Sequence, residues 1–436
     1  MKLVVTIYEE TFDAALRAIA ALCAADHDMI ELRAERLGAI DLHALRAATS
    51  KPIILTHRGV RVDDATIARA IEAGIDFVDV EWRDDLRITA PRQRIVLSHH
   101  DYDGMSGDID AMRALNCAHT KFAVTPKTLE ENLQLLALSC GRTSSSDQPR
   151  GDARLDAARG RPRTSARTTV IGMGERGLYS RILAPFLGSE LAFVAATQSA
   201  APGQLSLERA LAIYGNQRES LHAMHVFAIA GNPAGHSLSP AIHNPLFREK
   251  GIDAAYTIAS FESFAEIARA FGRGDLRGLS ITAPFKEEAF AYAKSVDAHI
   301  HHNARACGAI NTLVRMRDGC VVADNTDVDG FEALIGKPKR VAIVGAGGTA
   351  RAAMVAAQRA SAQITVFNRS KREFAVEPLE KLRDFDGDLV IDTLPVEIEL
   401  PPIRTISASY TNSGGGLDLL HAQAVRQNEI FIEAIT

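Results

Sequence analysis

Eight short apolar runs rich in β-branched residues recur through the first half of the chain, and no other feature limits its fold as strongly. They are "KLVVTI" (2–7), "MIELRAE" (29–35), "PIILTHR" (52–58), "FVDVEW" (77–82), "RIVLSHHD" (94–101), "TKFAVTP" (120–126), "TTVIGMG" (168–174) and "LAFVAAT" (191–197). Helical pattern lies between most of them, as in "TFDAALRAIAALCAA" and "ATIARAIEAG". Strands that alternate with helices run parallel, joined by helical crossovers. Eight such units in about 215 residues is the count of a (β/α)8 barrel. An open doubly wound sheet is the rival.

Polar residues gather at the C-terminal ends of these runs: Glu31 and Arg33, then Arg58, then His99 and His100, then Lys121. Chemistry sits at that end of a parallel barrel. Lys121 is the hardest to explain otherwise. It lies inside an apolar run, where an unpaired ammonium is costly and burial favours the neutral amine. Snorkelling to water is the plain alternative. A neutral lysine can attack a ketone and form a Schiff base, whose iminium draws electrons from the neighbouring carbon. His100, ending the preceding run, suits the base that removes the proton. Arg33, Arg58 and Arg181 could clamp a carboxylate or hydroxyls. Together these residues describe a Schiff-base lyase or aldolase.

The chain has 436 residues, enough for two domains or a barrel and a further domain. With 24% charged residues and a formal charge of −5, it has no general drive toward nucleic acid or anionic membrane. Five scattered cysteines without a CxxC pair fit a reducing compartment. "MKLVVTIYEE" enters a strand-like run at once and lacks the marks of a signal peptide, and no apolar run could span a bilayer, so the cytoplasm is expected. Residues 139–169, rich in Arg, Ser, Gly and Pro, read as a mobile insertion. No aromatic residue interleaves with its arginines, which argues against RNA binding. "HIHHN" (299–303) has no cysteine or carboxylate at ligand spacing, and no metal is expected there.

The pieces "MIELR", "ILTHR", "VLSHHDY", "KFAVTPKT", "GLYSRILAPFLGS" and "AAPGQLS" make residues 1–215 resemble type I 3-dehydroquinate dehydratase. The resemblance implies a Schiff base at Lys121, general acid–base work by His100, and substrate contacts from Glu31, Arg33, Arg58, Arg181 and Gln204. The implied reaction is dehydration of 3-dehydroquinate to 3-dehydroshikimate. Two positions depart from the family. The loop "RGVRVDDAT" lacks the usual glutamate after the arginine at Arg58, with Asp63 or Asp64 as the nearest substitute, and Ala200 stands where a serine is usual.

A polar linker, "QRESLHAM" (217–224), leads into a second α/β region of two lobes, 226–330 and 331–436. In "GNPAGHSLSPAIHN", Ser237 and Ser239 precede a helix start, where hydroxyls suit either a carboxylate or plain capping. "SITAPFKEEA" brings Thr282 and Lys286, "GAINTL" brings Asn311, and "ADNTDVDG" brings Asp327. A lysine and an aspartate in one cleft can serve a carbinol–ketone interconversion. "VAIVGAGGTARAA" has the strand–turn–helix context of a dinucleotide loop, with Gly345, Gly347, Gly348 and Thr349. The next run ends in Asn368, Arg369, Lys371 and Arg372, basic rather than acidic, which points to the 2′-phosphate of NADP.

These motifs occur in the order found in shikimate dehydrogenase, which residues 226–372 resemble. The resemblance implies Lys286 and Asp327 as the catalytic pair, Ser237, Ser239, Thr282, Asn311 and Gln423 as substrate contacts, and NADP(H) as cofactor. The family's "NATPxG" reads "DTLPVEI" (392–398) here, so the nicotinamide side is expected to be trimmed. The product of the first reaction is the substrate of the second. The chain therefore reads as an α/β protein: an N-terminal (β/α)8 barrel, then a two-lobed dehydrogenase with a Rossmann-like NADP-binding lobe. The expected substrates are the small molecules 3-dehydroquinate and 3-dehydroshikimate or shikimate, with no nucleic acid or membrane partner and a homodimer left open. An alternative is an active dehydratase with a trimmed, inactive second domain.

Overall fold

The apolar runs become strands because alternate side chains are buried on both faces of a parallel sheet. In the computed structural model, which describes residues 1–83, 86–139, 167–370, 374–409 and 416–436, the first eight strands are β1 (Lys2–Ile7), β2 (Met29–Arg33), β3 (Ile53–Thr56), β4 (Phe77–Glu81), β5 (Ile95–Asp101), β6 (His119–Val124), β7 (Thr168–Gly172) and β8 (Leu191–Ala195). They pair in the order β7-β6-β5-β4-β3-β2-β1-β8, and the ladders between them are parallel. Inward residues Val4, Met29, Ile54, Val96 and Leu191 form a fully buried layer, with Phe77 and Phe193 against it. Burying each such side chain is worth about 1.5–3 kcal/mol.

The expected (β/α)8 barrel is present and nearly closed, with two local departures from the regular form. The ladder does not close between β7 and β8. One backbone bond, from the Glu190 N–H to Thr168 O (3.1 Å), and two hydroxyls join them: Ser189 Oγ accepts from the Val170 N–H (3.0 Å), and Thr169 Oγ1 accepts from the Leu191 N–H (3.0 Å). Between β4 and β5 the described connection holds a 3-10 turn, Arg92–Arg94, rather than an α-helix. Polar caps start several of the crossover helices, as Asp63 does by accepting from the Thr66 N–H (2.8 Å). Asp63 thus caps a helix, while Asp64 accepts from Thr89, so neither takes the place of the absent glutamate in a substrate site.

The chain divides into two compact units. The first is Met1–Val226 with Gly235–Phe261 and Gly272–Asp275; the second is Phe227–Ala234 and Glu262–Phe271 with Leu276–Thr436. The first thus includes β10 (Ala254–Ser260), which follows β9 (His225–Gly231) in sequence. In the second, β9 runs parallel to β11 (Gly278–Ile281), then come β13 (Thr312–Arg315), β14 (Val321–Asp324) and β12 (His299–Ile300). A parallel sheet, β17-β16-β15-β18-β19, spans β15 (Arg340–Val344), β16 (Gln363–Asn368), β17 (Glu377–Pro378), β18 (Leu389–Asp392) and β19 (Thr405–Ser407).

The last helix, Gly416–Glu433, completes this unit. Gln427 Nε2 donates to Asn311 O (3.0 Å) and Thr312 Oγ1 (2.8 Å), and its Oε1 accepts from Ser280 Oγ (2.5 Å). Phe431 packs on Phe227 with ring centroids 4.6 Å apart. No helix among the described residues is long and apolar enough to cross a membrane.

Candidate active sites

In a strand, residues two apart share a face. The inward positions at the C-terminal ends of the barrel strands are Thr6, Glu31, Thr56, Asp79 with Glu81, Ser98 with His100, and Lys121. Lys121 is 5% exposed, and its Nζ lies 3.2 Å from Glu31 Oε1 and 3.5 Å from Asp79 Oδ2. The Phe193 ring covers it at 4.1 Å. Lys121 is buried and does not snorkel to water: two carboxylates, themselves buried, face the amine, as a charge at this depth requires.

Each carboxylate is fully coordinated. Glu31 accepts from Thr6 Oγ1 (2.8 Å) and Thr56 Oγ1 (3.0 Å). Asp79 accepts from Ser98 Oγ (2.6 Å) and Arg58 Nη2 (3.1 Å). Burial alone would raise both acids. The Lys121 and Arg33 charges outweigh it at Glu31, and those of Arg58 and Lys121 outweigh it at Asp79, so both are held below the ordinary carboxylate range.

Next to this cluster lies a histidine–carboxylate pair. His100 Nδ1 is 3.0 Å from Glu81 Oε2, and the His100 backbone N–H donates to Glu81 Oε1 (2.8 Å). Arg58 bonds the same carboxylate. Burial, against the Glu81 hydrogen bond and helped by the Arg58 and Lys121 charges, pushes the imidazole down to about 4. A carboxylate can only accept, so the neutral ring carries its proton on Nδ1 and leaves Nε2 free as a base.

Gln204 Nε2 donates to Thr6 Oγ1 (3.0 Å), which joins it to Glu31. Arg181 lies at the open seam, in a cavity lined by Val170, Ile171, Phe193, Val194 and Tyr214. Its Nε donates to Gly172 O (2.9 Å), while Nη1 is buried without a hydrogen-bond partner among the described residues. Burial pushes this guanidinium down to about 10, against the opposing influence of Tyr214. A buried cationic fork with an open donor suits an anion. Arg33 is engaged elsewhere: it pairs with Glu35 (2.5 Å) and sits over the Tyr8 ring.

In the first unit, Ser237 Oγ donates to Ser239 Oγ (3.1 Å) and accepts from the Ser239 N–H (3.2 Å), both residues being buried. In the second, Lys286 Nζ donates to Asp327 Oδ2 (2.5 Å) and Thr349 Oγ1 (2.8 Å). Asp327 Oδ1 accepts from Asn311 Nδ2 (2.8 Å), which also reaches Gln423 Oε1 (3.3 Å). Four residues singled out from the sequence thus converge, and Thr349, expected on the cofactor, holds the lysine. Thr282 is half-buried at the end of β11, its N–H donating to Ala230 O (2.9 Å).

The glycine turn after β15 fits a dinucleotide. A Cβ at Gly345 (φ +103°) would come within 2.5 Å of Thr393 Oγ1, and one at Gly348 within 3.2 Å of Lys286. No side chain caps the helix Gly348–Arg359, and a Cβ at Gly347 would meet nothing within 4 Å, which leaves room for a ligand at this N-terminus. Asn368 Nδ2 donates to Ser370 O (2.8 Å), and Arg369 is exposed at the end of β16. Lys371 and Arg372 lie outside the described residues, as does nearly all of 139–169.

Comparison with known proteins finds a family for each half of the chain. The model "Type I 3-dehydroquinase" matches residues 3–149 and 153–220, and "Shikimate dehydrogenase substrate binding domain" matches 229–313. The shikimate dehydrogenase (NADP(+)) of Cellvibrio japonicus is 38% identical over 202 residues, 41% of this chain and 72% of that protein. The chain belongs to the shikimate dehydrogenases and carries a type I 3-dehydroquinase domain before that region. Two two-domain relatives align along most of its length. The shikimate biosynthesis protein AroDE of Chlamydia pneumoniae is 27% identical, over 86% of this chain and 80% of its own. The bifunctional 3-dehydroquinate dehydratase/shikimate dehydrogenase of Arabidopsis thaliana is 25% identical over 79% of this chain, which spans 60% of that longer protein.

Asp79 and Glu81 were missed in the sequence. Their signal was present: two acids, two residues apart, inside the apolar run "FVDVE", which is the same anomaly that drew attention to Lys121.

Proposed function

We propose that this protein catalyses two consecutive steps, dehydration of 3-dehydroquinate and NADPH-dependent reduction of the resulting 3-dehydroshikimate to shikimate. The dehydratase occupies residues 1–215, the shikimate-binding lobe 226–330 and the NADP-binding lobe 331–436. The observation that carries the reading is the Lys121 amine, buried between Glu31 and Asp79 and next to the His100–Glu81 pair.

In the first step, Lys121 attacks the substrate ketone through its unprotonated amine. Loss of water gives the iminium. His100 Nε2 takes the proton beside it and returns one to the departing hydroxyl, and hydrolysis frees the lysine. Glu81 holds the imidazole in the required tautomer. Arg181 takes the substrate carboxylate, and Glu31 and Gln204 take hydroxyls.

In the second, Ser237, Ser239, Thr282, Asn311 and Gln423 bind the shikimate ring. Gly345, Gly347 and Gly348 would hold the pyrophosphate, with Asn368 and Arg369 toward the 2′-phosphate. When bound, NADPH supplies the hydride. Lys286 donates the proton to the carbonyl oxygen, and Asp327 orients its ammonium. The enzyme works on small molecules in the cytoplasm.

Borohydride with 3-dehydroquinate tests the first half. The adduct is expected on Lys121 by mass spectrometry, and an adduct elsewhere, or none, refutes the assignment. NADPH oxidation dependent on 3-dehydroshikimate tests the second; nucleotide binding without turnover refutes it.

A further inference from the structure

The loop between β9 and the helix Ser239–Glu249 carries Ser237, yet much of what holds it comes from the barrel. Arg209 Nη2 donates to Gly235 O (3.0 Å) and to Ser237 O (2.8 Å). On the other side, Glu175 Oε1 accepts from the Gly235 N–H (2.9 Å) and from Ser260 Oγ (2.7 Å). A cation thus sits on two carbonyls of the loop and an anion on one of its N–H groups, each matched to the peptide dipole it meets. The approach is close: a Cβ at Gly235 would lie 2.9 Å from Glu175 Cγ, so the Glu175 side chain would have to shift to admit one. Gly235–Phe261 accordingly belongs to the same compact unit as the barrel.

Both clamping residues adjoin the dehydratase. Arg209 lies in the helix Leu207–Tyr214, five residues after Gln204. Glu175 follows Gly174, whose N–H donates to Pro202 O (3.1 Å). Gly203 packs so tightly there that a Cβ would stand 2.5 Å from Gly174 O. The loop that presents Gln204 therefore rests on the segment that presents Glu175.

We propose that Glu175 and Arg209 are positioning residues for the shikimate reaction: from the barrel they fix the backbone of Gly235–Ser237 and so set how well the Ser237 hydroxyl meets shikimate. The proposal rests on the reading of Ser237 as a substrate contact.

The test uses the intact protein with Glu175→Ala, Arg209→Ala, Glu175→Gln and, as a control on the serine, Ser237→Ala. Shikimate KM, NADP+ KM and kcat are measured for the dehydrogenase, and kcat and KM for the dehydratase. Loss of a charge-assisted hydrogen bond corresponds to a KM increase of about tenfold. Glu175→Ala and Arg209→Ala are expected to raise shikimate KM by about that factor, with kcat, NADP+ KM and both dehydratase constants within about twofold of the parent. Glu175→Gln keeps an acceptor for the Gly235 N–H and restores most of the KM. If Ser237→Ala raises KM while the two alanine variants leave it unchanged, the clamp is refuted. An unchanged KM in Ser237→Ala refutes the serine reading beneath it. A parallel fall of all constants in the alanine variants marks a merely structural role and also overturns the proposal.

Discussion

Replacing Lys121 by methionine keeps the length of the side chain and deletes its charge. The consequence can be worked from two distances. At 3.2 and 3.5 Å from Glu31 and Asp79, each attraction is about 5 kcal/mol at an effective dielectric of about 20. The lysine also sheds its own desolvation cost when removed, so the net loss is smaller. Breaking a buried pair from one side costs about 3–5 kcal/mol. Asp79 keeps Arg58, but Glu31 loses the first of the charges that hold its carboxyl down. Its folded value then rises, pushed by burial and by Asp79 against Arg33 and the Thr6 hydrogen bond. In the parent, the depressed Glu31 adds stability that is lost as pH falls through its folded value. In Lys121→Met the carboxyl is less depressed and has less of that stability to lose. The gap between the two proteins should therefore be about 3–5 kcal/mol near pH 8 and shrink as pH falls below the ordinary glutamate range. Trp82, the single tryptophan, stands in the barrel 5.8 Å from the His99 ring, so its fluorescence during urea unfolding reports on the barrel. An equal or higher midpoint for the variant at pH 8, or a gap that widens on acidification, would refute the reasoning.

His100 is depressed from 6.5 to about 4, so folding favours its neutral form; barrel stability should fall by about 3 kcal/mol as pH drops across that window, and dehydratase kcat/KM should hold level until the same value is approached. An acid limb near 6.5 in the pH–rate profile contradicts this. Arg181→Met removes a buried guanidinium with an open donor, and should raise the unfolding free energy by about 1 kcal/mol, with a higher urea midpoint, while raising KM for 3-dehydroquinate at least about a hundredfold. A lowered midpoint would show that the cation stabilises the fold. Thr349→Val should lower dehydrogenase kcat about tenfold with Thr349→Ser close to the parent, because the hydroxyl takes one of three Lys286 protons; a change in NADPH KM alone would return Thr349 to a cofactor role.

Periodicity made the strands legible because burial on alternate faces leaves a direct trace. The run "KLVVTI" has the bounds of β1, while the others overran one or both ends by one or two residues, as at Thr197 and Trp82, and "TKFAVTP" also began one residue late. The order β1 to β8 followed from parallel crossovers. The open seam did not, since whether two strands exchange backbone hydrogen bonds depends on twist and register rather than on their own residues. Lys121, His100, Lys286, Asp327, Asn311 and Gln423 stood out through motifs. Asp79 and Glu81 were passed over because acids near a strand end read as solvent-facing. The contacts of Arg209 and Glu175 join residues far apart in the chain, and neither residue carries a local signal.

The helix Gly416–Glu433 gives the chain an order of assembly. Gln427 bridges Ser280, Asn311 and Thr312, and Gln423 reaches Asn311 beside Asp327. During synthesis the barrel can settle once its strands have left the ribosome. The reductive centre has to wait for the final residues to emerge, so a nascent chain gains its first activity well before its second.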